Sequence, residues 1–179
     1  MTARTIAGTC LELVQGDIIK QDTDAIVNAA NTTLLGGGGV DGAIHRAGGA
    51  SILEECRRLE GCPTGDVRIT SAGRLPARRV IHAVGPVYRD GRHGEPDLLA
   101  SAYRRTLETA VVHGLRSVAF PSISTGAYRF PIAEAAAIAL GTVADVLRDR
   151  PGGLDLVRFV LFSTADLAVY EKALAALPA

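Results

Sequence analysis

Short apolar runs alternate with longer helical stretches along this chain, and no other feature constrains the fold as much. The runs are Leu11–Gln15, Ala25–Asn28, Val67–Ser71, Val80–Val84, Val118–Pro121 and Leu156–Phe162. They are rich in β-branched residues and read as strands. Several are continuously apolar, as strands covered on both faces are. Between them lie stretches with apolar residues at three- and four-residue spacing. Val40–Ala47 continues, after two glycines, into Ser51–Leu59, and Asp97–Val112, Ile132–Leu147 and Ala165–Leu177 follow. Pro96 and Pro131 sit where helices start, and Gly114 where one should stop. Such alternation predicts an α/β fold, with a central, largely parallel sheet and helices on both sides. At 179 residues with no repeat and no low-complexity linker, the chain fits one domain.

Ligands of such sheets bind outside the carboxyl ends of the strands. That rule singles out three strand-to-helix loops: "GDI" at Gly16, "NAANTTLLGGGG" from Asn28, and "PSISTGAYRFP" from Pro121. Gly36–Gly39 precedes a helix expected from Val40. Glycines let backbone N–H groups converge on an anion, and a helix N-terminus adds favourable partial charge. "GGGGVDG" lacks the Lys-Ser/Thr pair of a Walker loop and the spacing of a dinucleotide fingerprint. "STGAY", Ser124–Tyr128, is a second loop of the same type, and neither contains lysine. Together they suit a diphosphate held by backbone amides; either alone is weak evidence, and the plainer reading of the glycine run is a flexible turn, which rarely needs four consecutive glycines. Tyr128 offers a ring and hydroxyl beside that site, or else a packing aromatic.

Other polar residues have two readings each. Asn28 and Asn31 suit ribose hydroxyls, which a carboxamide both donates to and accepts from, or they cap the loop. Asp41 is either a functional carboxylate or an acid favoured by the helix dipole. His45 lies one turn later on the same face, where a structural role is the simpler reading. Asp17 accepts from an exocyclic amine or caps a turn. Phe162 stacks on a base or belongs to the core, and "STAD" after it reads as a helix cap.

Composition removes several function classes. Lys and Arg number 19, as do Asp and Glu, so no net field draws nucleic acid or an anionic membrane. Cys10, Cys56 and Cys62 are too few and odd in number for a disulfide framework. They read as plain thiols in a reducing cytoplasm, with no second cysteine pair or neighbouring histidine to complete a metal site. No signal-peptide core and no membrane-length apolar run is present.

The strings "VQGDI", "DAIVNAANTTLLGGGGVDGAIHRAGG", "VIHAVGP" and "FPSISTGAYRFP" together resemble the macro domain family, and within it the MacroD-type hydrolases. The similarity runs from about Leu11 to the last helix. It implies a three-layer α/β/α sandwich around a mixed six-stranded sheet, with ADP-ribose as ligand. By position, Asp17 would accept from the adenine amino group beside the Ile18 N–H, and Phe162 would stack on adenine. Gly37, Gly38, Gly39 and Val40, with Ser124, Thr125, Gly126, Ala127 and Tyr128, would hold the diphosphate and pinch the distal ribose. Asn31 would contact that ribose, and Asp41 matches the acid that hydrolytic members use near the anomeric carbon. Arg129 departs from the pattern, since many relatives have glycine there. The implied reaction removes mono-ADP-ribose from acidic side chains of modified proteins and deacetylates O-acetyl-ADP-ribose. The alternative is a non-catalytic ADP-ribose reader. No cofactor or metal is expected, because two glycine loops and helix N-termini can neutralise a diphosphate.

Overall fold

The computed structural model describes the whole chain, Met1–Ala179. Seven strands form one sheet: β1 Thr2–Ile6, β2 Thr9–Gln15, β3 Ala25–Ala30, β4 Val67–Ser71, β5 Arg79–Val84, β6 Ser117–Phe120 and β7 Leu156–Leu161. The helices are α1 Gly39–Gly48, α2 Ala50–Leu59, α3 Glu95–Val112, α4 Ile132–Asp149 and α5 Thr164–Ala175. The spatial order is β1-β2-β7-β6-β3-β5-β4. The inner neighbours pair in parallel, while β1 with β2 and β4 with β5 pair antiparallel at the edges. The mixed sheet is as expected, with seven strands rather than six.

The extra strand, β1, escaped sequence reading because "TARTI" is largely polar and only Ile6 of it is buried. Its one signal was Gly8. Ala7 and Gly8 take positive φ, 49° and 87°, closing a two-residue hairpin onto β2.

Helices cover both faces. The sheet and α3, α4 and α5 enclose the larger core, which contains Tyr103, Phe120, Phe159 and Tyr170. A smaller core, with Ile26, Ile44, Ile52 and Val80, lies between the sheet and α1 and α2. This split positions the site. β3 leads into α1 on one face, and its neighbour β6 leads into α4 on the other. Chains leaving adjacent parallel strands for opposite faces leave a crevice between their loops. No helix is long and apolar enough to cross a membrane.

Candidate functional site

The two loops bound a crevice of about 440 Å³ over the carboxyl ends of β3, β6 and β7. Asn31, Gly37, Gly38, Gly39, Val40 and Asp41 line it from the β3–α1 side. Ser124, Thr125, Gly126, Ala127 and Tyr128 line it from the β6–α4 side. Phe162 closes one end, and Gly85, Ser122 and Asp166, which sequence reasoning passed over, also contribute. Asp17 and Ile18 are the expected site residues that do not line it. They follow β2, where the Gly16 N–H donates to Leu161 O at 3.0 Å, so they stand beside the Phe162 end.

The first wall is built by glycine. Gly36 and Gly39 adopt φ of 95° and 57°, which side-chain-bearing residues rarely tolerate. A Cβ at Gly38 or Gly39 would meet nothing within 4 Å, so both face open space. At Gly37 it would stand 3.1 Å from Asp41 Oδ2 and 3.5 Å from Asn31 Nδ2, so the backbone passes close between those side chains. Leu34, 1% exposed, roots the loop in the smaller core.

Asp41 sits in the first turn of α1, where the helix dipole favours a carboxylate. It is only 5% exposed. Its Oδ1 accepts from Asn28 Nδ2 at 2.7 Å and lies 3.2 Å from His45 Nε2. The predicted shared face of Asp41 and His45 is therefore real. Asn28 fits neither of its sequence readings: it is fully buried behind Asp41 and off the crevice lining. Its Nδ2 also lies 3.0 Å from His82 Nδ1. His82, in β5, was missed because it falls inside an otherwise apolar strand. Burial holds its pKa down to about 4, with His45 pushing the same way, so it is neutral.

Asn31 lines the crevice and caps the loop at once. Its Oδ1 accepts from Thr33 N–H at 3.1 Å and from Thr33 Oγ1, and its Nδ2 donates to Gly36 O at 3.0 Å.

The second wall has side chains at its two left-handed positions, Ser124 at φ 66° and Arg129 at φ 60°. The Arg129 conformation accounts for a position that suits glycine. The wall is anchored into the larger core. Ile123 N–H donates to Tyr103 Oη at 2.9 Å, and Ser122 Oγ lies 2.8 Å from Tyr170 Oη. Thr125 Oγ1 donates to Ser122 Oγ at 2.8 Å, and Phe130 N–H to Ser124 O at 2.9 Å. Tyr128 O accepts from Tyr88 N–H at 2.8 Å. Ser124 Oγ is buried without a protein partner. A Cβ at Gly85 would come 2.2 Å from that oxygen, so only glycine fits opposite it.

At the other end Phe162 is 86% exposed, which removes the core reading and leaves a ring free to stack. Asp17 does cap a turn, accepting from Ile19 N–H at 3.1 Å through one of its two oxygens.

All three cysteines are free thiols, and burial pushes Cys56 up to about 11. One neighbour is invisible in sequence spacing: Cys56 Sγ lies 3.7 Å from His82 Nε2. Asp90, His93 and Glu95 each place a potential metal-ligand atom within 4.8 Å of the others. None of them lines the crevice, and the Glu95 carboxylate already accepts from the N–H groups of Arg89, Asp90, Gly91 and His93.

Comparison with known proteins gives a consistent result. A family model described as the Macro domain matches residues 27–139. A macro domain-containing protein of Chlorobaculum tepidum is 57% identical over 166 residues, covering 93% of this chain and 96% of the relative. An Escherichia fergusonii protein named O-acetyl-ADP-ribose deacetylase is 51% identical over 168 residues, covering 92% and 94%. Among solved structures, the Oceanobacillus iheyensis macrodomain with ADP superposes with a TM-score of 0.93 at 47% identity, covering 97% of this chain and 94% of that one. A Trypanosoma brucei macrodomain in complex with ADP-ribose gives 0.85 at 46%, covering 90% and 68%.

Proposed function

This chain belongs to the macro domain family, and on that premise we propose that it binds ADP-ribose and hydrolyses its esters. The substrates are mono-ADP-ribose on protein Glu or Asp side chains and O-acetyl-ADP-ribose. The observation that carries this reading is Asp41, a nearly buried carboxylate lining the crevice between both walls, with Oδ1 held by Asn28. The names of its relatives support the ligand and the second substrate.

Adenine lies between Phe162 and Asp17, whose free oxygen accepts from the amino group while Ile18 N–H donates. The diphosphate spans the glycine wall and Ser124–Tyr128, and the distal ribose reaches Asn31 and Asp41. Asp41 orients or activates the attacking water. A glycosidase uses two carboxyl groups, and only Asp41 sits at the ribose end here. One suffices where the carboxylate of a Glu or Asp ester departs from the anomeric carbon, because its conjugate acid has a pKa of about 4 and it needs no proton.

One observation favours a reader instead. Both ends of the Asn31 carboxamide are engaged within the loop, which leaves less of it for a reacting sugar. ADP-ribose affinity alone would not separate the two. Two peptides do, one modified on Glu and one on Ser. The hydrolase cleaves the Glu ester and spares the Ser O-glycoside, whose alkoxide leaves poorly. Asp41→Ala slows cleavage by about 10²–10⁴-fold, the usual worth of general-base help, with a smaller loss of affinity. Binding without turnover identifies a reader, and equal rates on both peptides reveal a proton donor near the ribose.

A further inference from the structure

Asp41 is braced from behind by groups that do not line the crevice, and their hydrogens follow from donor and acceptor inventory taken with contact length. Asn28 Nδ2 has two hydrogens and two neighbours, Asp41 Oδ1 at 2.7 Å and His82 Nδ1 at 3.0 Å. The second contact is a hydrogen bond only if His82 Nδ1 carries a lone pair. The ring proton then sits on Nε2, 2.9 Å from Thr70 Oγ1. Thr70 in turn donates its own hydrogen to Ser71 O at 2.8 Å. Donation then runs outward from Asn28 on β3, one way to Asp41 on α1 and the other through His82 on β5 to Thr70 on β4, with the Cys56 sulfur a longer 3.7 Å from the same Nε2.

We propose that His82 is a positioning residue for Asp41, acting through Asn28. The proposal rests on the hydrolase reading above. The neutral Nε2–H imidazole accepts one Asn28 hydrogen, which keeps the carboxamide nitrogen, rather than its oxygen, facing Asp41. Asn28 Oδ1 is left buried without a partner, which the opposite amide orientation would not improve for Asp41. With Oδ1 of Asp41 held in this way, Oδ2 is directed past Gly37. His82 never touches the ligand. It decides which way the group behind the carboxylate points.

Isosteres separate this from simple packing. His82→Asn places an amide oxygen where Nδ1 stood and keeps the acceptor. His82→Gln fills the Nε2 position instead, and His82→Leu has no acceptor. For a Glu-linked ADP-ribosyl peptide, kcat falls roughly 10–100-fold in His82→Leu and His82→Gln, the scale on which misplacing a reacting group slows chemistry. KM and ADP-ribose affinity stay within about 2-fold, since binding groups are untouched. His82→Asn recovers most of kcat. Unchanged kcat in folded His82→Leu, or no advantage of Asn over Gln, overturns the proposal. Nitrogen-15 NMR of the wild-type imidazoles needs neither turnover nor a folded variant. At pH 7 His82 should be the Nε2–H tautomer, and an Nδ1–H or charged ring overturns the proposal. Wild-type protein that binds but does not hydrolyse sinks the hydrolase reading alone, and the tautomer then decides the positioning of Asp41.

Discussion

The two walls of the crevice present similar concave backbones and place their strained residues differently. The β3–α1 wall makes left-handed turns at Gly36 and Gly39, where glycine adopts them freely, and confines its one strained residue, Leu34 at φ 61°, to the buried root of the loop. The β6–α4 wall makes them at Ser124 and Arg129, where a side chain opposes them. Such strain persists only where the surroundings over-determine it. Ser122 and Ile123 are accordingly tied to Tyr170 and Tyr103, in the middle of an aromatic cluster with Phe120 and Phe159. The glycine wall has a brace too, running from Asp41 through Asn28 and His82 to Thr70, but it holds a side chain rather than the loop backbone. One wall lines the crevice with permissive backbone beside an oriented carboxylate and keeps its strain at buried Leu34. The other is strained backbone on a rigid floor.

The difference should vanish under the harshest test. Gly38 and Gly126 both take ordinary φ values and face open space, so a glutamate fits at either without straining the chain. If both walls hold the diphosphate, Gly38→Glu and Gly126→Glu each weaken ADP-ribose beyond about 1000-fold, some 4 kcal/mol, by calorimetry. Tight binding by one variant would mean that only the other wall holds phosphate.

Acid should separate the braces. His82 has a folded-state pKa of about 4 against an ordinary 6.5, lowered by burial and by His45. Cys56 and Asp41 pack around the same chain, with Glu55 acting in the opposite direction. A depressed basic group means that the unfolded chain binds more protons between those values. Its contribution is complete above about pH 6.5 and disappears as pH falls through about 4, a change of roughly 3 kcal/mol. Burial raises the tyrosines instead, Tyr170 to about 12 and Tyr103 well above its usual range, so the second brace does not titrate in acid. Denaturant melts at pH 7 and 4.5 should show a loss that His82→Asn reduces and Tyr103→Phe leaves in place.

Tyr103→Phe tests the floor itself. It strands the buried Ile123 N–H without its acceptor, costing roughly 1–3 kcal/mol. At this chain length that lowers Tm by roughly 2–4 °C per kcal/mol. An unchanged melting temperature would show that the second wall is not held by its tyrosine.

The two walls were also unequally legible in the sequence. A run of four glycines before a helix has few physical uses, so the first wall, with Asp41 and Asn31 beside it, was readable. So were both loops' places at the strand ends, because alternation fixes which edge carries them. The braces were not. Asn28 and His82 face each other across β3 and β5, 54 residues apart, and only strand register brings them together. Tyr103 and Tyr170 are ordinary core positions on α3 and α5 until the loop's N–H and hydroxyl groups reach them. β1 stayed hidden because an edge strand with one buried side chain leaves almost no apolar pattern.

The smallest effect probes the strain directly. Arg129 is exposed, its φ is 60°, and its N–H closes a turn to Gly126 O at 2.9 Å. A left-handed residue with a Cβ costs roughly 1–2 kcal/mol. Glycine removes that cost and adds back roughly 0.5–1 kcal/mol of unfolded-state freedom. Arg129→Gly should therefore stabilise the protein by about 0.5 kcal/mol, raising Tm by roughly 1–2 °C. Ser124→Gly relieves the same strain but removes the buried Oγ facing Gly85, so its benefit cannot be separated from lost packing. Arg129 has no such complication, because its guanidinium makes neither an ion pair nor a hydrogen bond within the protein. ADP-ribose affinity then completes the measurement. A more stable variant that binds as tightly as wild type means that the tyrosine floor carries real strain and Arg129 only points to solvent. A stabilised variant that binds more weakly means that the guanidinium reaches the phosphates. A lower melting temperature would mean that Arg129 is not strained, and would leave the second wall distinguished by its anchors.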